Sequence, residues 1–421
     1  MHRCPPPNPT APRFLLRGQA TLAGLGIVSL ERTVNILDTW VIDRDASDPI
    51  RAIEEIIAGA RPFESNQDSG WIIMLSYELG RRIEPKAHHQ TPHLDNTLLD
   101  TTLSFPLAVV QRWVGDELEQ GNESTDYQLG PVRSSMGRQG YIDAVERTLA
   151  YIRAGDIYQA NIAHHLDAPF SGSVSACFSD LAVGADPRFG AMMCFDHEGT
   201  RHAICSISPE LFLEYNPETR IIRTEPMKGT RPIGADVSEL RESIKDRAEL
   251  DMITDLMRND LGRVSALGSV RVTNHRHIDS HRSGVLQASS SVEGRLAAGN
   301  GLGEILRATF PPGSVTGVPK VRAMQIIDEL EAQPRNAYCG SMLVLDDCGA
   351  IKASVSIRTA HIWGDIDPDQ PDVIYNGHFN YAVGAGVVAD SDPEAEWAET
   401  LTKAAVLHSV LGIEIGAGAG S

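Results

Sequence analysis

The sequence predicts an α+β fold. Three features lead there: long stretches with helical spacing, many short strand-like runs, and no regular alternation of strand, helix and strand. The chain has 421 residues, 42% of them hydrophobic and 22% charged, which suits a globular protein with a sizeable core. Its 37 Lys and Arg against 56 Asp and Glu give a net charge of −19. That balance argues against nucleic acid and against an anionic membrane surface as partners. It also means that an anionic substrate needs a local cationic pocket or a bound metal ion. No apolar run reaches membrane-spanning length, and the start "MHRCPPPNPTAPRF" lacks the apolar segment of a secretory signal. The six cysteines are scattered without a C-x-x-C pair, which fits reduced thiols and a cytoplasmic location.

Taken in order, residues 1–14 read as a disordered, proline-rich tail. Residues 15–130 form an N-terminal domain that mixes the strand-like runs "GWIIMLSYEL" and "LSFPLAVVQRW" with a helix near "DPIRAIEEIIAGA". A polar bridge at 116–136 marks the boundary to a second domain, 131–415. There "GYIDAVERTLAYIRAG" has helical spacing and ends at Gly155, a C-cap. The next segment, "DIYQANIAHHLDAPF", alternates as a strand. Further strands are expected at 201–215, 219–224, 341–347, 351–359 and 383–389, and helices at 236–265, 319–331 and 393–412.

Several segments bring chemistry to this frame. In "RTEPMKGTRPIG", Lys228 lies between Pro226 and Gly229, hence in a turn or at a strand edge. It is either a solvated surface lysine or a nucleophile or anion anchor. In "SELRESIKDRAELDMITDLMRNDLGRV", Glu249 shares a face with Ile253, Leu256 and Asp260. A half-buried carboxylate there needs a partner, an arginine or a metal. In "ADSDPEAEWAETLTKAAVLHSVL", Asp392 can cap the helix, Pro393 suits its first turn, and Glu396 and Glu399 are neighbours on one face. Two such helices could deliver oxygen ligands to Mg²⁺. The alternatives are the helix dipole and an ordinary pair between Glu399 and Lys403.

"FPPGSVTGVPKVRAMQIIDELE" is a turn-rich loop entering a helix, a setting that favours an anion, with Lys320 adding charge or merely solvated. In "ASVSIRTA", Arg358 ends a strand and can fork onto a carboxylate, of a ligand or of the protein. Gly384 and Gly386 in "YAVGAGVVADSD" permit close backbone approach to a ligand, or a bulge. The histidines of "HRHIDSHR" and of the pairs at 88–89 and 164–165 lack metal-site spacing and read as loop or strand-surface residues.

The blocks "GDIYQANI", "SPELFLEY", "EPMKGTRP", "DRAELDMITDLMRNDLGRV", "FPPGSVTGVPKVRAMQIIDELE", "RNAYCGSM", "SIRTA" and "GAGVVADSDPEAEWAET", in this order, resemble the chorismate-utilising family. That resemblance implies an anthranilate synthase component I-like fold, with large antiparallel sheets packed together and helices outside. It implies that Glu249, Glu396 and Glu399 hold Mg²⁺ against a carboxylate of chorismate. Gly229, Thr230, Thr316, Lys320, Tyr338, Arg358, Gly384 and Gly386 then contact the substrate. In the branches that add water to chorismate, a lysine stands where this chain has Gln159. The run Pro-x-Lys-Gly-Thr resembles the branch that aminates at C4, where the lysine attacks C2 as an uncharged amine and Glu210 of "SPE" serves as acid and base. One departure is Gln287 in "VLQASSSVEG", at the family's usual histidine. A glutamine hydrogen-bonds but shuttles no proton. A separate glutamine amidotransferase subunit is the implied source of ammonia.

Overall fold

Two antiparallel sheets form the frame of the protein, seen in a computed structural model. The structure describes residues 20–23, 35–60, 69–87, 105–114, 126–232, 236, 238, 243–281, 285–367 and 370–411. The expected tail at 1–14 lies outside them. The first sheet runs in the order Ala20–Ala23, Phe189–His197, Thr200–Ser208, Thr359–Asp367, Gln370–Val387, Gln159–Ser173, Gly317–Val318. The second runs Met227–Pro232, Val285–Arg295, Ile221–Glu225, Leu211–Asn216, Ile351–Val355, Ser341–Asp346, Ser69–Leu75, Ala108–Val114, Asn35–Ile42.

Apolar runs dictate the middle of each sheet. "SGWIIML" at Ser69–Leu75 is buried along its whole length because strands flank it on both edges and layers cover both faces. Ile72, Met74, Val109 and Trp113 of the second sheet pack on Ala191, Met193, Phe195 and Ile204 of the first. The outer face of the first sheet buries Leu166, Phe170, Phe379 and Tyr381 under the helix Val174–Ala185 and under Leu407 of the helix Ala405–Leu411.

Local signals set the helix ends. The Asp48 side chain accepts from Arg51 N at 3.0 Å to start the helix Pro49–Gly59. Gly155, at φ +82°, ends Gly137–Ala154 in the left-handed conformation expected of it. Asp392 accepts from Ala395 N at 2.9 Å to start Pro393–Lys403. The helix expected to 412 breaks at Ala404.

The larger differences lie where the chain changes sheet. The strand expected at 201–215 is two strands, Thr200–Ser208 in the first sheet and Leu211–Asn216 in the second. The run 351–359 likewise divides at Ser356–Arg358. Ser69–Leu75 pairs with Ser341–Asp346, so segments on both sides of the expected boundary share one sheet. Cys177, Cys194, Cys205 and Cys339 are free, buried thiols.

Candidate active site between the two sheets

Both crossings carry residues singled out in the sequence. Glu210 stands at the first. Its backbone N–H donates to Ser208 Oγ at 3.2 Å, and its carbonyl accepts from Val355 N at 3.1 Å, which fixes the corner. The side chain is buried. Burial pushes its carboxyl up to about 7, although the Ser314 hydroxyl and the charges of Lys228, Lys403 and Arg188 pull it down. Arg358 stands at the second crossing, at φ +50°, its carbonyl accepting from Ile207 N at 3.0 Å. Its guanidinium makes no hydrogen bond or ion pair among the described residues.

Lys228 lies on the edge strand Met227–Pro232. The register of that strand slips between Lys228 and Thr230, and Gly229 makes the slip at φ +71°, where other residues are strained. The ammonium donates to Ser314 O at 3.3 Å and is partly shielded from solvent. It is therefore directed inward and is not a solvated surface lysine.

Gly386 completes the cradle from the first sheet. A methyl group placed on it would lie 2.9 Å from Gln159 Nε2, 3.3 Å from Lys228 Nζ and 3.7 Å from Glu249 Oε2. The backbone here leaves a space that three polar side chains from three elements surround. Gly384, two residues earlier, accepts from Lys403 Nζ at 2.8 Å. Lys403 also pairs with Glu399 at 2.7 Å, the ordinary pair that the spacing allowed. Glu249 and Glu396 are buried, and Glu396 Oε1 accepts from Ser391 Oγ at 2.6 Å.

Among the described residues no three His, Cys, Asp or Glu side chains are gathered as ready ligands. The donors Glu249, Glu396 and Glu399 are carboxylates, the hard oxygen ligands that Mg²⁺ takes together with waters and substrate oxygens.

Tyr338 is buried beside Arg335, whose guanidinium lies 5.8 Å from its ring. Burial holds its phenol well above the usual range, so it serves as a neutral hydrogen-bond donor. Gln287 is buried opposite Thr230 in the neighbouring strand, on the same edge as Lys228; the Thr230 side chain lies outside the described residues. Thr316 Oγ1 is turned to the carbonyls of Pro312 and Gly313, at 3.3 and 3.2 Å. Lys320 departs from the expectation of a substrate contact. Its ammonium sits 2.6 Å from Asp260 Oδ2 and donates to Thr309 O and Pro311 O, because buried Asp260 demands a cation.

Over residues 30–409 the sequence matches the family of the chorismate binding enzyme. The chain belongs to the chorismate-binding enzyme family. It is 41% identical over 286 residues to aminodeoxychorismate synthase component 1 of Klebsiella aerogenes, covering 66% of this chain and 59% of that protein. It is 34% identical over 388 residues to the protein of that name in Escherichia coli K12, covering 85% and 81%. An anthranilate synthase component 1 of Haloarcula marismortui is 38% identical over 67% of this chain and 55% of its own. The fold is that of anthranilate synthase component I from Streptococcus pneumoniae TIGR4, with a TM-score of 0.70 at 21% identity over 94% of each chain. The menaquinone-specific isochorismate synthase of Escherichia coli gives 0.65 at 16% identity over 94% and 89%.

Within this chorismate-binding frame, Ser314 is a residue that sequence reasoning passed over, and Lys403 entered it only as the partner of Glu399. Ser314 lies two residues before Thr316 in "PPGSVTG", so the turn was visible and the side chain that mattered was not. A buried ion pair supports the same loop. Arg335 bonds Glu331 through both nitrogens of its fork, at 2.9 and 2.6 Å, and also binds Val315 O and Asn161 O. His164 corrects the surface reading of the histidines: it is buried between Tyr141 and Trp397 and hydrogen-bonded to Ser134 and Thr400.

Proposed function

We propose that this chain aminates chorismate at C4, giving 4-amino-4-deoxychorismate for p-aminobenzoate and folate synthesis, with ammonia supplied by a separate glutamine amidotransferase subunit. One observation carries the reading: the Lys228 amine and the Glu210 carboxyl, the latter near neutrality, meet around Ser314 beside the open backbone of Gly386. The relatives named aminodeoxychorismate synthase component 1 support it.

Each group then has a task. The uncharged Lys228 amine attacks C2, the ring double bonds shift, and the C4–O bond breaks. The Glu210 proton goes to the departing hydroxyl, which leaves as water. Ammonia adds at C4, the double bonds shift back, and the C2–N bond breaks to release the lysine amine. The Glu210 carboxylate takes the proton shed by the new C4 nitrogen, which restores the starting state. A carboxyl near pH 7 suits both transfers. Arg358 and Tyr338 hold anionic and polar groups of the substrate, and Lys403 and Arg358 make the cationic pocket that so acidic a chain needs. Glu249, Glu396 and Glu399 would hold Mg²⁺, which supplies charge neutralisation at a substrate carboxylate.

The test is product analysis by ultraviolet absorption and mass spectrometry after incubation with chorismate, ammonium and Mg²⁺. A C4-aminated product is expected; amination at C2 contradicts the reading.

A further inference from the structure

An ion pair outside the substrate cradle meets the Glu210 corner from both sheets. Arg188 immediately precedes the strand Phe189–His197, whose first residue pairs with Ser208 in the first sheet. Ser208 is the residue whose hydroxyl receives the Glu210 amide proton. Glu225 ends the strand Ile221–Glu225 of the second sheet, directly across from Leu211, the residue after Glu210. Only Pro226 and Met227 separate Glu225 from Lys228. The Arg188 guanidinium bonds Glu225 Oε1, so the pair ties the two sheets together. The Glu225 side chain is 7% exposed. Its other oxygen takes Arg223 and, at 3.3 Å, Ser291 Oγ.

We propose that Arg188 and Glu225 form an inter-sheet clasp that positions Glu210 against Lys228 and sets the local charge under which Glu210 exchanges its proton. They are positioning residues, since neither is placed against the substrate. The clasp is in the right place to do this: removing it frees the two strand ends that hold the acid and the lysine, and no other described ion pair joins the sheets at this corner. Arg188 is also one of the charges that Glu210 feels, with Lys228 and Lys403, and the neutral Cys339 thiol lies close enough to feel Glu210 in turn. Loss of Arg188 removes a positive charge that favours the Glu210 carboxylate and leaves Glu225 with Arg223 alone against it, which favours the protonated form of Glu210. Loss of the Glu225 charge does the reverse. A bond that served only to hold the fold would not shift Glu210 in opposite directions in the two variants.

The inference rests on the role given to Glu210, so its test needs a readout free of turnover. The full chain, labelled with ¹³C at glutamate side-chain carboxyls, is titrated by NMR, with Glu210→Gln assigning the signal. Arg188→Ala is expected to move the Glu210 midpoint up and Glu225→Gln to move it down, with Arg188→Lys close to the wild type. In parallel, Arg188→Ala is expected to lower kcat roughly tenfold while chorismate affinity changes less than about threefold, with partial rescue by added guanidinium. Circular dichroism checks that each variant is folded; if Arg188→Ala is not, the Glu225→Gln and Arg188→Lys titrations decide. A Glu210 midpoint that stays put, or moves the same way in both charge-removing variants, overturns the clasp. A normal set of shifts in a chain that makes no C4-aminated product would leave the clasp standing and remove the reaction instead.

Discussion

Lys228 and Ser314 are in contact, Nζ to the backbone carbonyl at 3.3 Å, and the hydroxyl of the same serine serves the Glu210 carboxyl. One residue of a turn-rich loop thus addresses both the amine and the acid. Replacing Lys228 removes the amine and leaves the acid in place. Lys228→Ala is expected to reduce C4 amination to below about a thousandth of the wild-type rate, and Lys228→Arg to do the same, because a guanidinium keeps the charge without the nucleophile. Steady-state rates with ammonium as nitrogen source check this; an arginine variant near the wild-type rate would assign the position to charge alone.

Glu210 links activity to stability. Its carboxyl titrates near 7 in the folded chain against 4.5 when unfolded. The folded state therefore holds a proton between these values that the unfolded state has lost, and stability falls as pH rises from 4.5 to 7. The full destabilisation, about 3 kcal/mol, is present above that window and absent below it. Glu210→Gln escapes it. Urea melts are expected to show the variant more stable than the wild type at pH 8 and equal to it near pH 4, while amination falls by roughly two orders of magnitude or more.

Gly386 has no room for a side chain. Gly386→Ala places a methyl group 2.9 Å from Gln159 Nε2, on the site that Lys228 and Glu249 also face. The variant should fold, since the displaced group is the end of a side chain. Chorismate affinity, measured by equilibrium titration, is expected to drop roughly tenfold or more; unchanged affinity would mean that the substrate lies elsewhere.

Glu399 offers the cleanest test of the metal proposal, because it is half exposed and tied to Lys403. Glu399→Gln is expected to raise the Mg²⁺ concentration needed for half-maximal activity roughly tenfold or more. A Mg²⁺ titration like that of the wild type would leave Glu399 as the partner of Lys403 and nothing further.

Much of this was legible in one dimension. Helical spacing picked out Glu249 and the pair Glu396 and Glu399, and the bracketing of Lys228 by Pro226 and Gly229 marked the strand edge. The crossings at Glu210 and Arg358 were not legible, because an apolar run shows that a strand exists and not which sheet it joins. Lys320 was misread for a similar reason. Its partner Asp260 lies 60 positions away, and only the fold brings the two together. Gln159 and Ser314 are ordinary polar residues whose importance comes from what stands opposite them.

The nucleophilic role of Lys228 can be read most directly from the protein itself. The chain is incubated with chorismate and Mg²⁺ without ammonia, quenched and digested, and the peptides are weighed by mass spectrometry. An adduct of chorismate less water on the peptide that holds Lys228, lost when ammonium is added before the quench, is the expected result. Full turnover to 4-amino-4-deoxychorismate with no such adduct, and with Lys228→Ala as active as the wild type, would contradict it.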